Sequence, residues 1–390
     1  MERIHVQLRP DKAAKLESIG LSFHDWDQYW KEDVAYRFTL AQVDHLEEVT
    51  EELHQLCLQA VDHVIEHGRL GELGIPPAFH AAIAHSWQAG DASLYGRFDL
   101  AYDGHGPAKM LEYNADTPTS LLESAVAQWY WMEDVFPGAD QFNSLHDKLV
   151  QRWQAIAAPG SRLHVASIKD NEEDWVCAQY LVETALQAGL QAQRLDVESI
   201  GWDSVAEVFV DEEEQPIELL FKLYPWEWMM TEDFGAQLAD ALMAGRIRCV
   251  EPIWKSVLSC KAILAILWQL NPGHPNLLEA HFEPGTMSAY AKKPFYSREG
   301  ANVALYRDGI VATQSAGPYG TEGYVYQALA EMPCLHGRYP VIGSWVVGNS
   351  AAGMCVREDD SPVTTNMSNF VPHFFDQEHI DPYNAKDHTP

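Results

Sequence analysis

One stretch of this 390-residue chain leaves few choices of fold. Arg162 to Ile168 (RLHVASI) is an apolar run of strand length. Glu172 to Ala188 has helical spacing and stops at Gly189, and Leu190 to Val197 is strand-like again. Strand, helix, strand in that order requires a crossover, so the two strands lie parallel in one sheet with the helix on its face. No GxGxxG follows the first strand, which removes the usual reason to read such a unit as dinucleotide-binding. The loop Lys169 to Asp174 falls at the carboxyl end of a strand, where open sheets bind ligands. Its acids either receive a cationic amine or a metal, or simply complement a helix start.

The flanking segments are of a different kind. Upstream, Val43, Leu46, Val49, Leu53, Leu56, Ala60, Val61, Val64 and Ile65 recur at helical spacing between a Thr39 cap and Gly68. His63 and His67 lie one turn apart on this helix, but no HExxH pattern or third ligand accompanies them, so they are read as surface. Downstream, Val205 to Val210 and Ile217 to Leu223 flank an acidic turn and predict a hairpin. A helix near Glu232 to Ala244 and a strand near Ile247 to Val250 follow. Ser256 to Leu270 predicts one helix carrying Lys261. A lysine among Cys260, Ala262, Ile263 and Leu264 either snorkels outward or faces an anion; its immediate neighbours favour snorkelling. Short strands with many turns then run to Arg357, an antiparallel α+β region, and the tail after Pro372 is polar. The chain divides into residues 1–155, 156–252 and 253–390.

Tyr95 to Ser120 (YGRFDLAYDGHGPAKMLEYNADTPTS) carries the densest polar chemistry. Arg97 and Asp99 alternate with Phe98 and Leu100, Glu112 and Asn114 alternate with Leu111 and Tyr113, and Asp103 to Pro107 is turn chemistry. Antiparallel pairing would converge the four polar groups. Hard oxygen donors grouped this way suit Mg²⁺; the alternative is an ordinary solvated hairpin. Thr117 can cap a helix beginning at Pro118 and running to about Val135, whose N-terminus and Thr119 would suit an anion.

Composition narrows the function classes. Lys plus Arg number 26 against 57 Asp plus Glu, a net charge of −31, which argues against nucleic acid and anionic membrane surfaces as partners. Each basic residue in a polar cluster is therefore informative. Six cysteines form no CxxC pair and read as reduced. No run reaches transmembrane length and the N-terminus lacks a signal pattern, so a cytoplasmic protein is expected. GxxxxGK[ST], HRD, DFG and GxSxG are all absent. What remains is a lysine pair, Lys292 and Lys293, followed by the small-residue loop Ser297, Arg298, Glu299, Gly300, then a strand: a layout able to cover a polyphosphate. Gly353 to Glu358 ends a strand on Arg357.

Taken in order, GRFDL, MLEYNADTPTSLLES, KKPFYSREGANV, YVYQAL and SWVVGNSAAGMCVRED resemble the synthetase part of the glutathionylspermidine synthase family and its stand-alone relatives. The likeness spans essentially the whole chain, and EYNAD is its most specific piece. It implies an ATP-grasp carboxylate–amine ligase of circularly permuted type, α/β and α+β, with the βαβ unit as a substrate-side domain. Because the chain opens directly in the synthetase-like region, no counterpart of the family's amidase part is expected.

Residue by residue, the resemblance makes Asp99, Glu112 and Asn114 ligands of Mg²⁺, two ions being implied. It sets Arg97 against the transferred phosphoryl group or developing oxyanion and makes Arg357 a second clamp. Lys261 and Lys293 would bind ATP phosphates under a lid formed by Ser297, Arg298, Glu299 and Gly300. Gln327 falls in the linker beside the adenine. Thr117 and Thr119 would meet the acid substrate and Glu173 a peptide amine, although Pro118 stands where the family has a small residue. A small-molecule acid and an amine, with a glutathione-like peptide and a polyamine leading, are the implied partners. The competing expectations are a small-molecule kinase, a regulatory ATP-binding protein without ligation, and an oxygen-ligated metal hydrolase.

Overall fold

The computed structural model describes residues 1–26, 29–365 and 368–376; most of the polar tail lies outside the described residues. Its centre is a five-stranded antiparallel sheet in the order Asn369–Val371, Ser350–Asp359, Tyr339–Val347, Tyr95–Ala101, Lys109–Asn114. Strands more than two hundred residues apart are thus neighbours. One face packs on the helix Leu40–Glu66, which Thr39 starts with the expected cap, reinforced by a reciprocal bond to Gln42. The other face packs on the helix Leu145–Ile156, which in turn rests on the parallel sheet. The central sheet is therefore buried on both sides, and every residue of Tyr95–Ala101 is buried.

The βαβ expectation holds. Arg162–Ser167, the helix Glu172–Gln187 and Gln191–Asp196 form a parallel unit within the sheet order Arg248–Val250, Leu219–Leu223, Arg162–Ser167, Gln191–Asp196. The expected hairpin next to it forms only at its turn, where Val210 bridges Pro216. Val208–Val210 pairs instead with Gly201–Asp203, and Leu219–Leu223 becomes an inner parallel strand. Only the acidic turn survives, with Ile217 donating to the Phe209 carbonyl. Burying Leu219, Leu220, Phe221 and Leu223 on two faces is worth about 1.5–3 kcal/mol per side chain. A cross-strand pair in a local hairpin offers roughly 0.2–1 kcal/mol, so the sheet wins.

A third sheet, antiparallel, has the order Ala280–His281, Tyr324–Ala328, Ala289–Pro294, Ala304–Arg307, Ile310–Gln314. The expected helix from Ser256 to Leu270 is broken in two. The helical segment Ile253–Ser259, which ends in Ser256–Ser259, meets Ile263–Leu270 at 79°, with Cys260 extended between them. The bend lets both halves bury their apolar faces, and it leaves Lys261 at the corner. Among the described residues no single helix is long and apolar enough to cross a membrane. His63 and His67 stack at 4.1 Å on the surface helix, with Arg69 at 3.1 Å from His63, and no metal-ready group of three or more His, Cys, Asp or Glu occurs among the described residues.

Candidate active site

The hairpin Tyr95–Ala101 and Lys109–Asn114 sets Arg97 opposite Asn114 and Asp99 opposite Glu112. All four line one polar pocket of about 210 Å³. Arg97 donates from Nε to Asp99 Oδ1 at 2.9 Å and from one terminal nitrogen to the Thr119 carbonyl at 2.9 Å. Asn114 donates to Glu112 Oε1 at 3.3 Å. A larger, more apolar cleft of about 340 Å³ adjoins it, lined by Leu111, Ala291, Leu305, Leu329, Met332 and Val341 among others. Asp99, Glu112, Gly300 and Thr364 line both, so the acids stand at the junction.

Two lysines meet the acids there. Lys261 does not snorkel: its amine lies 3.2 Å from Glu112 Oε2 and donates to the Ser297 carbonyl at 2.8 Å. Lys293 is buried on the third sheet and donates to the Leu111 carbonyl (2.9 Å) and Gln327 Oε1 (2.7 Å), while Lys292 points to the other face over the Tyr324 ring. Burial pushes the Lys293 amine down to about 8 although the Glu112 charge opposes it. Burial would raise the Glu112 carboxyl, but Lys261 and Lys293 outweigh it and hold it at about 2. An ionised acid between two cations, at the edge of an apolar cleft, is where a polyanion with a greasy ring would find neutralisation and packing together.

Gln327 sits on the strand Tyr324–Ala328 rather than in a linker; the segment after it, Leu329 to Met332, lines the apolar cleft. Ser297 to Gly300 form a loop at the mouth of both clefts, with Glu299 and Gly300 at positive φ. A Cβ on Gly300 would come within 2.6 Å of the Thr364 carbonyl, which explains the glycine. Arg298 donates to Thr117 Oγ1 (2.8 Å) and Glu227 Oε1 (3.0 Å) and lies over the Trp228 ring.

Thr117 therefore does not cap a helix. Its hydroxyl is taken by Arg298, Ser120 has φ +68°, and helical turns begin only at Leu121, so the anion site expected at Pro118 is absent. Thr117 and Thr119 nevertheless line the polar pocket with Glu173, Arg298 and Arg357. Arg357 donates to the Thr365 carbonyl, and its Nε is buried without a protein partner, as are the Arg298 Nε and the Ser297 hydroxyl. Arg298 and Arg357 line this pocket, and two unmet guanidinium donors there are what an oxygen-rich anionic ligand would satisfy. In the acidic loop, Asn171 caps the helix by accepting from the Asp174 amide at 3.1 Å. Burial, with Glu173 adding to it, raises the Asp174 carboxyl to about 7.

Sequence reading missed Asp116, the last residue of EYNAD. It is buried and paired with the fully buried Lys222, and it also accepts from the Trp226 amide at 2.9 Å, tying the acid-bearing hairpin to the parallel sheet. The signal was present: one cation in the apolar strand LLFKL demands a buried partner. Glu227 and the segment Val363 to Thr365 carried no local signal at all.

The donor set fits a hard dication. Two carboxylates and an amide oxygen make an incomplete shell, the kind Mg²⁺ completes with phosphate oxygens and water.

Residues 3–376 match the family described as glutathionylspermidine synthase preATP-grasp. A Haemophilus influenzae protein named "Putative acid–amine ligase" is 42% identical over 94% of this chain and 97% of its own length. Trypanothione synthetase of Crithidia fasciculata is 30% identical over 82% of this chain and 53% of its own. The bifunctional glutathionylspermidine synthetase/amidase of Escherichia coli is 29% identical over 86% and 58%. The chain spans about half the length of these last two relatives. With the match running across both clefts and the sheets that line them, this chain belongs to the glutathionylspermidine synthase family, whose fold is related to ATP-grasp.

Proposed function

We propose that this protein is an ATP- and Mg²⁺-dependent acid–amine ligase of circularly permuted ATP-grasp type, forming an amide through an acyl phosphate. A glutathione-like peptide and a polyamine are its leading substrates. The observation that carries the reading is the junction itself: the paired acids Asp99 and Glu112 face Lys261 and Lys293 where an apolar cleft opens into a polar pocket. The relatives are named as ligases and synthetases.

In this reading the purine lies in the apolar cleft beside Gln327 and the segment that follows it. The triphosphate runs toward Lys261 and Lys293 under the loop Ser297 to Gly300. Asp99, Glu112 and Asn114 would hold two Mg²⁺ ions, which supply charge neutralisation to the phosphates. Arg97 and Arg357 meet the phosphoryl group and the oxyanion that develops on the acid. Thr117 and Thr119 orient the acid, and Glu173 attracts the ammonium of the amine. Phosphoryl transfer of this kind needs positioning and charge rather than a protein nucleophile. The acids precede the phosphate-binding lysines in the chain, as a permuted order requires. Residues 156–252 would form the substrate side, and residues 1–155 and 253–390 the nucleotide-binding lobes.

The test is phosphate release from ATP over a grid of peptides and polyamines, with mass spectrometry of the product. An amide carrying both substrates is expected. A stable phosphorylated product would make the protein a kinase, and ATP binding with no turnover in any mixture would make it a regulatory protein.

A further inference from the structure

Arg97 is held by more than its neighbour in the strand. Its guanidinium lies over the Trp345 ring, 5.5 Å from the centroid. The Trp345 indole N–H donates to Ser124 Oγ at 3.1 Å, and that hydroxyl donates to the Ser120 carbonyl at 2.6 Å. The peptide next to it is Thr119–Ser120, and the Thr119 carbonyl accepts from Arg97 at 2.9 Å. The ring is closed: guanidinium, indole, hydroxyl, backbone, guanidinium.

Ser120 stands at φ +68°, a conformation that side-chain-bearing residues rarely adopt and that persists only where surroundings impose it. The Ser120 carbonyl takes the Ser124 hydroxyl, and its own hydroxyl lies 3.2 Å from the Tyr29 hydroxyl, which donates to Glu123 at 2.6 Å. Behind the arginine, a Cβ on Gly343 would come within 2.8 Å of Arg97 Cδ and 2.6 Å of Cys355 Sγ. Trp345 and Ser124 are fully buried and Ser120 nearly so. A flexible side chain is thus clamped on its stem by Gly343, on its plane by Trp345 and at one terminal nitrogen by a strained peptide.

We infer that Trp345 and Ser124 are positioning residues for Arg97: together with the strained Thr119–Ser120 peptide they fix its guanidinium, so that its remaining donors face the polar pocket in one orientation. The inference rests on the proposed role of Arg97 toward the phosphoryl group, yet the clamp itself can be read without turnover.

The experiment compares wild type with Ser124→Ala, Trp345→Phe, Arg97→Lys and the double variant Ser124→Ala/Arg97→Lys. Trp345→Phe keeps a ring face but loses the indole N–H together with the buried volume of the second ring, whereas Ser124→Ala removes a single hydroxyl. In ligation assays each clamp variant should lose about ten- to a hundredfold in kcat, the cost of a displacement on the order of an ångström, with KM for ATP nearly unchanged. The double variant should be no slower than Arg97→Lys alone, because the clamp acts only through the arginine. Wild-type kcat in both clamp variants, or losses that multiply in the double variant, would overturn the inference. Independently of activity, the Arg97 Nε–H signal in nitrogen NMR, assigned by its loss in Arg97→Lys, should exchange with water faster in Ser124→Ala. An unchanged exchange rate would also overturn it. A wild-type protein that makes no amide would defeat the ligase reading alone, and the exchange measurement would still decide the clamp.

Discussion

Asp99 and Glu112 face each other across an antiparallel pair, and each is already met by a cation: Arg97 at 2.9 Å and Lys261 at 3.2 Å. The two acids come from adjacent strands, but their cations do not share an origin. Arg97 lies two residues from Asp99, whereas Lys261 arrives from the corner of a broken helix. The pair is therefore the point where a local pattern is completed by a distant one.

Replacing either acid should remove turnover and spare the fold. Asp99→Ala and Glu112→Ala are each expected to lower ATP-dependent phosphate release by about a hundredfold or more, the scale for deleting a group that positions transferring charge. Circular dichroism should remain that of wild type. Full phosphate release in both variants would sink the metal-ligand roles.

The Asp116–Lys222 pair predicts a stability effect of a different size. Both partners are buried, so Lys222→Met strands a carboxylate whose remaining partner is the Trp226 amide. Breaking one side of a buried pair costs about 3–5 kcal/mol. Urea unfolding should show that loss in Lys222→Met and recovery of most of it in Asp116→Asn/Lys222→Met. A double variant no more stable than the single one would contradict the account.

Arg298 should act on nucleotide retention. It links the loop to Thr117 and Glu227, and hydrogen bonds from a charged group are worth about 1.5–3 kcal/mol. Arg298→Ala is expected to raise KM for ATP about tenfold and to speed subtilisin cleavage near residues 297–301. The thermal midpoint should barely move, because the loop contributes little to the core. Unchanged KM together with unchanged cleavage would argue that the loop is held by other contacts.

Glu123 supplies a pH signature. Burial raises its carboxyl to about 7 against an ordinary 4.5, while Tyr29 donates to it at 2.6 Å. The folded state then holds a proton that the unfolded state has released, so this group's contribution to stability falls as pH rises from about 4.5 to about 7 and levels off above. Glu123→Gln keeps an acceptor for Tyr29 and removes the titration. Its stability relative to wild type should climb through that window and reach a gain of about 1–3 kcal/mol near pH 7.5. Parallel pH–stability curves for the two proteins would show that the carboxyl does not titrate there.

Some of this was legible in the chain. Period-two alternation put Arg97 and Asp99 on one face of their strand and Glu112 and Asn114 on one face of theirs, and the hairpin register then brought all four into one pocket. The βαβ unit and the Thr39 cap were also readable, because each depends on residues close in sequence. Thr117 was misread because its hydroxyl had a plausible local task, capping, that a distant arginine took over. Lys261 was misread because helical spacing continues through a corner that only packing creates.

By itself, then, the sequence determined the local geometry: which side chains share a strand face, where the parallel crossover lies, and which motifs mark the family. Tertiary structure decided the partners. It moved Leu219–Leu223 from a local hairpin into an inner strand, carried Lys261 and Lys293 to the acids, and set Lys222 against Asp116. The reason is physical. Short-range patterns fix backbone conformation and facing, but which faces meet depends on how much apolar surface each arrangement buries, a sum taken over the whole chain.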